Sequence, residues 1–181
     1  MATYATPGEL AAGLDEVRAA PSDEGTLELI VCRPAVEERE VLDEADLDLE
    51  LGLVGDNWST RGRSGGRPPN AKAQITVKSA RAAGLVAGDR ERWPLAGDQL
   101  FVDFDLSGDN LPPGTRLAIG DAVIEVTDEP HTGCNKYSAR FGLDALLFVN
   151  SPDGRALNLR GINTFVVEAG TIRVGDAVRK L

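Results

Sequence analysis

The sequence predicts a mainly β protein, a barrel or sandwich of short strands with a few short helices at its edge. Short runs of β-branched and apolar residues recur from Thr26 onward. Turn material separates them: a Gly-Asp pair at 55, 88, 97, 108, 120 and 175, with Pro112-Pro113-Gly114 and Pro152-Asp153-Gly154 besides. Gly supplies positive φ and Asp supplies side-chain-to-backbone hydrogen bonds, which tight turns need. A hydrophobic content of 42% over 181 residues suffices for one buried core and is too high for a disordered chain.

Taken in order, the chain opens on a helix. Thr6 is its N-cap, Pro7 suits the first helical position and Glu9 completes a capping box. Leu10, Leu14 and Val17 form one apolar stripe, and Pro21 ends it. Residues 1–25 thus read as a helix and acidic lead, and 26–181 as the β domain. Strands are expected at Thr26–Cys32, Gln74–Val77, Leu100–Leu106, Leu117–Ile119, Ala122–Thr127, Ala156–Leu159 and Thr164–Glu168, with a last one within 176–181. Asp46–Leu53 alternates like a half-buried strand, but Gly52 and Gly55 interrupt it, so its state stays open. Tyr137–Val149 has the apolar spacing of a short helix. Arg61–Asn70, Gly- and Pro-rich with three arginines, reads as a loop over an anion site.

Charge is distributed unevenly. Nineteen Lys and Arg against 29 Asp and Glu give a net −10, which argues against nucleic acid as a partner. Residues 1–60 hold 15 acids and 3 bases, whereas 61–92 hold 8 bases and 2 acids. The uneven split leaves two readings, a solvated acidic face, or a basic segment lining an anion site that the acidic portion does not touch. No 18-residue apolar run and no leader pattern are present, so membrane spanning and secretion are not expected. Two cysteines 102 positions apart suggest free thiols in a reducing cytoplasm.

The candidate chemistry centres on Glu129–Lys136, which holds the single histidine, His131, and one of the two cysteines, Cys134. Pro130 and Gly133 make it a loop, and the helix after it places Cys134 near a helix N-terminus, where a thiolate is favoured. Lys136 and Arg140 push the same way. A structural cysteine, a zinc ligand pair and a Cys-His nucleophile all remain open at this point. Cys32 reads as structural. Arg61, Arg63, Arg67, Arg140 and Arg160 sit where they could bind a phosphate bidentately, a plain surface role being the other reading for each.

The ordered set Gly52-Leu53-Val54-Gly55-Asp56, Gly97-Asp98-Gln99-Leu100, Ser107-Gly108-Asp109-Asn110-Leu111, Gly120-Asp121-Ala122, Cys134, Arg160-Gly161 and Gly170-Thr171-Ile172-Arg173-Val174-Gly175-Asp176 resembles the MOSC domain, named after the C-terminal part of molybdenum cofactor sulfurase. The resemblance covers about residues 26–181 and is to a stand-alone, single-domain member. It implies a strongly curved β-barrel of MOSC type, like the pyruvate kinase β-barrel domain, with short peripheral helices. It also implies a molybdenum cofactor (molybdopterin), with Cys134 as the molybdenum ligand or as a sulfur carrier. Pyridoxal phosphate enters only by association with the sulfurase's other half. Reduction of N-hydroxylated compounds is the implied reaction, with a separate electron-donor or sulfur-donor protein as partner. Alongside Cys134, His131 is a proton-donor candidate and Asn110 a motif residue beside the site. Arg61, Lys136, Arg140 and Arg160 are inferred phosphate or pterin contacts. The alternative is a non-catalytic module that binds or carries a small anionic ligand.

Overall fold

The computed structural model describes residues 4–62 and 65–181. Eleven strands are formed among the described residues: β1 Glu24–Cys32, β2 Glu40–Leu42, β3 Glu44–Asp48, β4 Gly52–Leu53, β5 Ile75–Ser79, β6 Leu100–Asp103, β7 Arg116–Ile119, β8 Ala122–Val126, β9 Ile162–Glu168, β10 Gly170–Arg173 and β11 Ala177–Lys180. Seven of them run β11-β7-β8-β9-β5-β6-β1, and β1 pairs back to β11 through Glu24–Thr26, closing a barrel. Pairing is antiparallel except for β5 with β6. The closure comes from β1, which pairs with β11 at its start, β6 in its middle and β2 at its end. A register shift between Leu27 and Leu29 marks its bend, as barrel curvature requires. β10, β3 and β4 form a small second sheet.

Closure removes free sheet edges and turns alternate side chains inward. Leu27, Ile30, Val77, Leu100, Leu117 and Ile124 meet there with no solvent exposure. A second core forms outside the barrel, where Leu29, Val31 and Phe101 from β1 and β6 meet apolar helix faces. The helices are α1 Pro7–Ala12, α2 Leu14–Arg18, α3 Trp58–Arg61, α4 Ala80–Ala87, α5 Asn135–Phe141, α6 Leu143–Asn150 and α7 Pro152–Ala156.

The expected strands mostly form, and the Asp46–Leu53 stretch resolves into parts of β3 and β4 around a turn held by Asp48. The Thr6 capping box is present, but the first helix breaks at Gly13 into α1 and α2. Ala156–Leu159 is not a strand. Ala156 ends α7, and the chain turns through Leu157 and Asn158, whose φ is +49°, to reach β9. The parallel β5–β6 pair needs a crossover, which α4 and a 3-10 turn at Arg90–Ala96 provide. Alternation patterns do not report it, since its apolar face is mostly alanine. The described part of the 1–25 lead packs on the second core through Leu10 and Val17. No helix among the described residues is long and apolar enough to cross a membrane.

Candidate functional site

A cavity of about 670 Å³ opens where the β1–β2 loop, α3, the 95–97 turn, α5 and the start of β9 converge. Cys134 lines it, exposed, as the N-cap residue of α5; Cys32 is buried in the barrel. The loop carrying Cys134 is pinned at both ends by asparagines. Asn163 of β9 donates Nδ2 to the carbonyls of Glu129 and Pro130 at 3.1 and 3.3 Å. Asn150, ending α6, accepts from Gly133 N at 2.9 Å and donates back to Gly133 O at 3.2 Å. Gly133 has no room for a Cβ there, which would strike Leu146.

Six cations share the cavity with the thiol: Arg33, Arg39, Arg61, Lys136, Arg140 and Arg160. Three of them converge on one turn. Arg140 Nη1 donates to Leu95 O at 2.9 Å, Arg160 Nη2 to Ala96 O at 2.9 Å and Arg33 Nη1 to Gly97 O at 3.0 Å. Three successive carbonyls thus each fix a different guanidinium. Gly97 sits at φ +88°, a left-handed conformation that suits glycine.

Carboxylates hold the same arginines from behind. Asp56 takes Arg33 bidentately, at 2.8 Å to both Nε and Nη2, and also accepts from Trp58 N. Asp98 pairs with Arg160 at 2.6 Å and lies 3.5 Å from His131 Nε2. Burial alone would raise the Asp98 carboxyl; the Arg160 guanidinium above all, with Lys78 behind it, outweighs burial and holds it below its ordinary value. Lys78 is buried beneath, donating to Leu159 O at 2.7 Å and so anchoring the segment that presents Arg160. Desolvation pulls its ammonium down to about 7. The Tyr137 ring meets both cations, its centroid 5.0 Å from the Arg160 guanidinium and 5.5 Å from Lys78 Nζ.

Arg39 and Arg61 pair with no carboxylate among the described residues. Both sit below the ordinary guanidinium value, first through burial and then through repulsion, Arg39 by Arg140 and Arg33, Arg61 by Arg33. They stay charged. Six cations therefore face three carboxylates, Glu37, Asp56 and Asp98, and the site carries an excess of positive charge. Buried Arg39 Nε, Arg160 Nε and Tyr137 Oη have no hydrogen-bond partner among the described residues, and neither do Asn57 Oδ1 and His131 Nδ1, so polar groups around the cavity are left for a ligand to satisfy.

Of the sequence-derived candidates, the structure brings Cys134, His131, Arg61, Lys136, Arg140 and Arg160 to this one cavity. Asn110 lies elsewhere, in a shallow cleft with Pro112 and Lys180, where its Nδ2 closes a turn onto Asp105 O and Ser22 O. Arg63 lies outside the described residues, and Arg67 does not line the cavity. The 61–70 loop meets the site at Arg61 and Gly62. Burial holds His131 neutral, with its imidazole pulled down to about 3, so it offers no imidazolium proton; its Nε2 lies 3.5 Å from Asp98 Oδ1, which has no hydrogen-bond partner among the described residues. The acidic portion does touch the site: Glu37 pairs with Lys136 and Arg140, and Arg33 and Arg39 come from the same stretch. Segment charge sums hid these residues, because their sign runs against that of their neighbours.

A sequence profile of the MOSC domain matches residues 41–179. No curated protein matches in sequence. Among solved structures the chain is similar to the YuaD protein from Bacillus subtilis, with a TM-score of 0.65 and 19% identity, over 86% of this chain and 94% of that one. It is also similar to YiiM from Escherichia coli, with a TM-score of 0.56 and 20% identity over 86% and 69% of the two chains. YiiM from Geobacillus stearothermophilus gives 0.52 and 12%, over 87% and 73%. At these identities the likeness is one of fold. With the profile spanning most of the closed barrel, the chain belongs to the MOSC domain family.

Proposed function

We propose that this chain binds a molybdenum–pterin cofactor in the arginine-lined cavity, with Cys134 as the protein ligand to the metal. One observation carries the reading: the exposed thiol lines the same cavity as six cationic side chains. The residues fit such a group. A soft thiolate suits molybdenum, the guanidinium groups of Arg39 and Arg61 suit a phosphate, and the unpartnered Arg160 Nε and Tyr137 Oη suit pterin acceptors. When bound, the group supplies the two electrons that, with two protons, convert an N-hydroxylated compound to its parent amine and water, a separate donor protein refilling them.

This chain's own residues bind and orient. The 95–97 carbonyls and the two buried aspartates preset the arginines, so little side-chain entropy remains to be lost on binding. A sulfur-carrier role uses the same thiol without the metal, as a persulfide. It is favoured by the exposure of Cys134. The non-catalytic alternative needs only the cations and is favoured by Arg39 and Arg61, which pair with no carboxylate among the described residues.

The test is to purify wild type and Cys134→Ser from a molybdate-supplemented host and measure metal, pterin and thiol-bound sulfur. Molybdenum and pterin together in wild type, and roughly tenfold or more less molybdenum in Cys134→Ser, is the expected result. A persulfide on wild-type Cys134 with no metal selects sulfur carriage. Neither metal nor persulfide in wild type overturns both thiol roles, and inorganic pyrophosphate binding that is equal in the two proteins then selects the anion module.

A further inference from the structure

Glu37 is the single carboxylate among the described residues that line the cavity. It sits in the loop between β1 and β2, where residues 35–38 are all exposed and Val36 keeps 72% of its surface. The loop is tethered at its base rather than its tip: Arg33 is buried on Asp56, and Cys32 pairs with Glu40 across the two strands. From that tip, Glu37 Oε2 accepts from Arg140 Nη2 at 2.7 Å and Oε1 from Lys136 Nζ at 3.3 Å. These contacts hold its carboxyl below the usual range, the Lys136 hydrogen bond first and the Arg140 charge next. Its φ is +63°, one of two positive values on non-glycine residues among the described residues. A left-handed glutamate costs conformational energy, so the ion pairs offset a local strain.

We infer that Glu37 is a built-in counter-ion of the cavity, held on the β1–β2 loop, which a phosphate-bearing ligand displaces from Lys136 and Arg140 as it enters. The inference rests on the anion-binding reading of the cavity and adds how two of its cations are neutralised when it is empty. The carboxylate satisfies two cations that would otherwise attract passing anions, and one of them, Arg140, repels Arg39. Its removal from the mouth breaks no core contact, because the tip of the loop has none. An entering dianion replaces one negative charge by two, and the strained loop relaxes outward. Exposed ion pairs of this kind are weak, which a displaceable plug requires.

The experiment measures binding of inorganic pyrophosphate by titration calorimetry to the full chain, its Glu37→Gln and Glu38→Gln variants, and Arg61→Ala. Glu38 is the neighbouring exposed carboxylate outside the ion pairs, so both Gln variants change net charge equally. Glu37→Gln is expected to bind roughly three- to tenfold tighter than wild type, with Glu38→Gln shifted little. Equal affinities for the two Gln variants, while Arg61→Ala still weakens binding, overturn the counter-ion role and leave the cavity reading standing. No binding by any of the proteins overturns both.

Discussion

Asp98 and Arg160 meet at 2.6 Å beneath the cavity, with the carboxylate wholly buried and the guanidinium nearly so. Arg160 spends Nη2 on Ala96 O and Nη1 on Asp98, which leaves its buried Nε without a partner among the described residues. Breaking such a pair from one side strands the other charge in a low-dielectric interior. Asp98→Asn is therefore expected to cost about 3–5 kcal/mol of stability. Urea unfolding would measure it. Adding Arg160→Gln should recover part of that loss in a double-mutant cycle; strictly additive losses would refute the coupling.

The Arg33–Asp56 pair makes a sharper claim about side-chain shape. Asp56 grips the planar fork through Nε and Nη2, while Nη1 reaches Gly97 O. A lysine cannot reproduce that three-way contact. Arg33→Lys is expected to destabilise by about 1–3 kcal/mol and to weaken pyrophosphate binding, despite conserved charge. Thermal unfolding and calorimetry check the two effects separately. A neutral outcome in both would mean that the fork geometry does not position the site.

These two pairs show what the sequence disclosed and what it withheld. Gly-Asp repetition marked tight turns, and each of the six positions lies in or beside one. Nothing local distinguished 55–56 and 97–98, whose aspartates turn inward onto arginines 23 and 62 positions away. Cys134, His131 and Arg160 were legible because they are rare or sit beside glycine. Arg33, Arg39 and Glu37 were not, since their meaning comes from the β1–β2 hairpin folding over the barrel mouth. Lys78 was read inside a basic segment and is in fact buried. The barrel was legible from turn spacing; its parallel β5–β6 step was not, because helix α4 has too few large apolar residues to announce itself.

Acid should weaken the fold before carboxylates titrate. His131 has an ordinary value of 6.5 and is pulled to about 3 in the folded state, first by burial and then by Arg160. Below about pH 6.5 the unfolded chain therefore takes up a proton that the folded chain refuses, and stability falls with falling pH. The slope is at most about 1.4 kcal/mol per pH unit. Because the chain has one histidine, His131→Gln should flatten this ramp between about pH 6.5 and 5. Lys78, lowered from 10.5 to about 7 chiefly by burial, adds a second ramp of the same sign above pH 7, rising until the Cys32 thiol opposes it near its ordinary 9.0. Denaturant melts across that range, repeated on Lys78→Met, test it. An unchanged profile in either variant would refute the corresponding assignment.

The two cysteines should separate cleanly by reactivity. Cys134 is exposed at the cavity, whereas Cys32 is packed in the barrel and its thiol is raised first by burial and then by Asp56. Native protein is expected to take up one equivalent of a small alkylating reagent, with the second reacting only in denaturant. Cys134→Ser should abolish the native uptake, and pyrophosphate should slow it in wild type by occupying the same cavity. Peptide mapping that finds Cys32 modified in folded protein would contradict the placement.

Gly161 ties the fold to the site most directly. It follows Arg160, takes φ +122°, and a Cβ there would lie 2.6 Å from Val77 O, with Asp98 Oδ1 close behind at 3.5 Å. Neither neighbour yields easily, as Val77 is paired in β5 and Asp98 is locked to Arg160. Gly161→Ala is expected to cost about 1–3 kcal/mol from backbone strain alone. The clash also pushes β9 away from β5 at the point where Arg160 leaves the turn. Pyrophosphate affinity should therefore fall along with stability, whereas Gly114→Ala, another positive-φ position but with open space around it and remote from the cavity, should lower stability only. Measured side by side, equal affinities in the two variants would show that the 160–161 turn does not set the arginine.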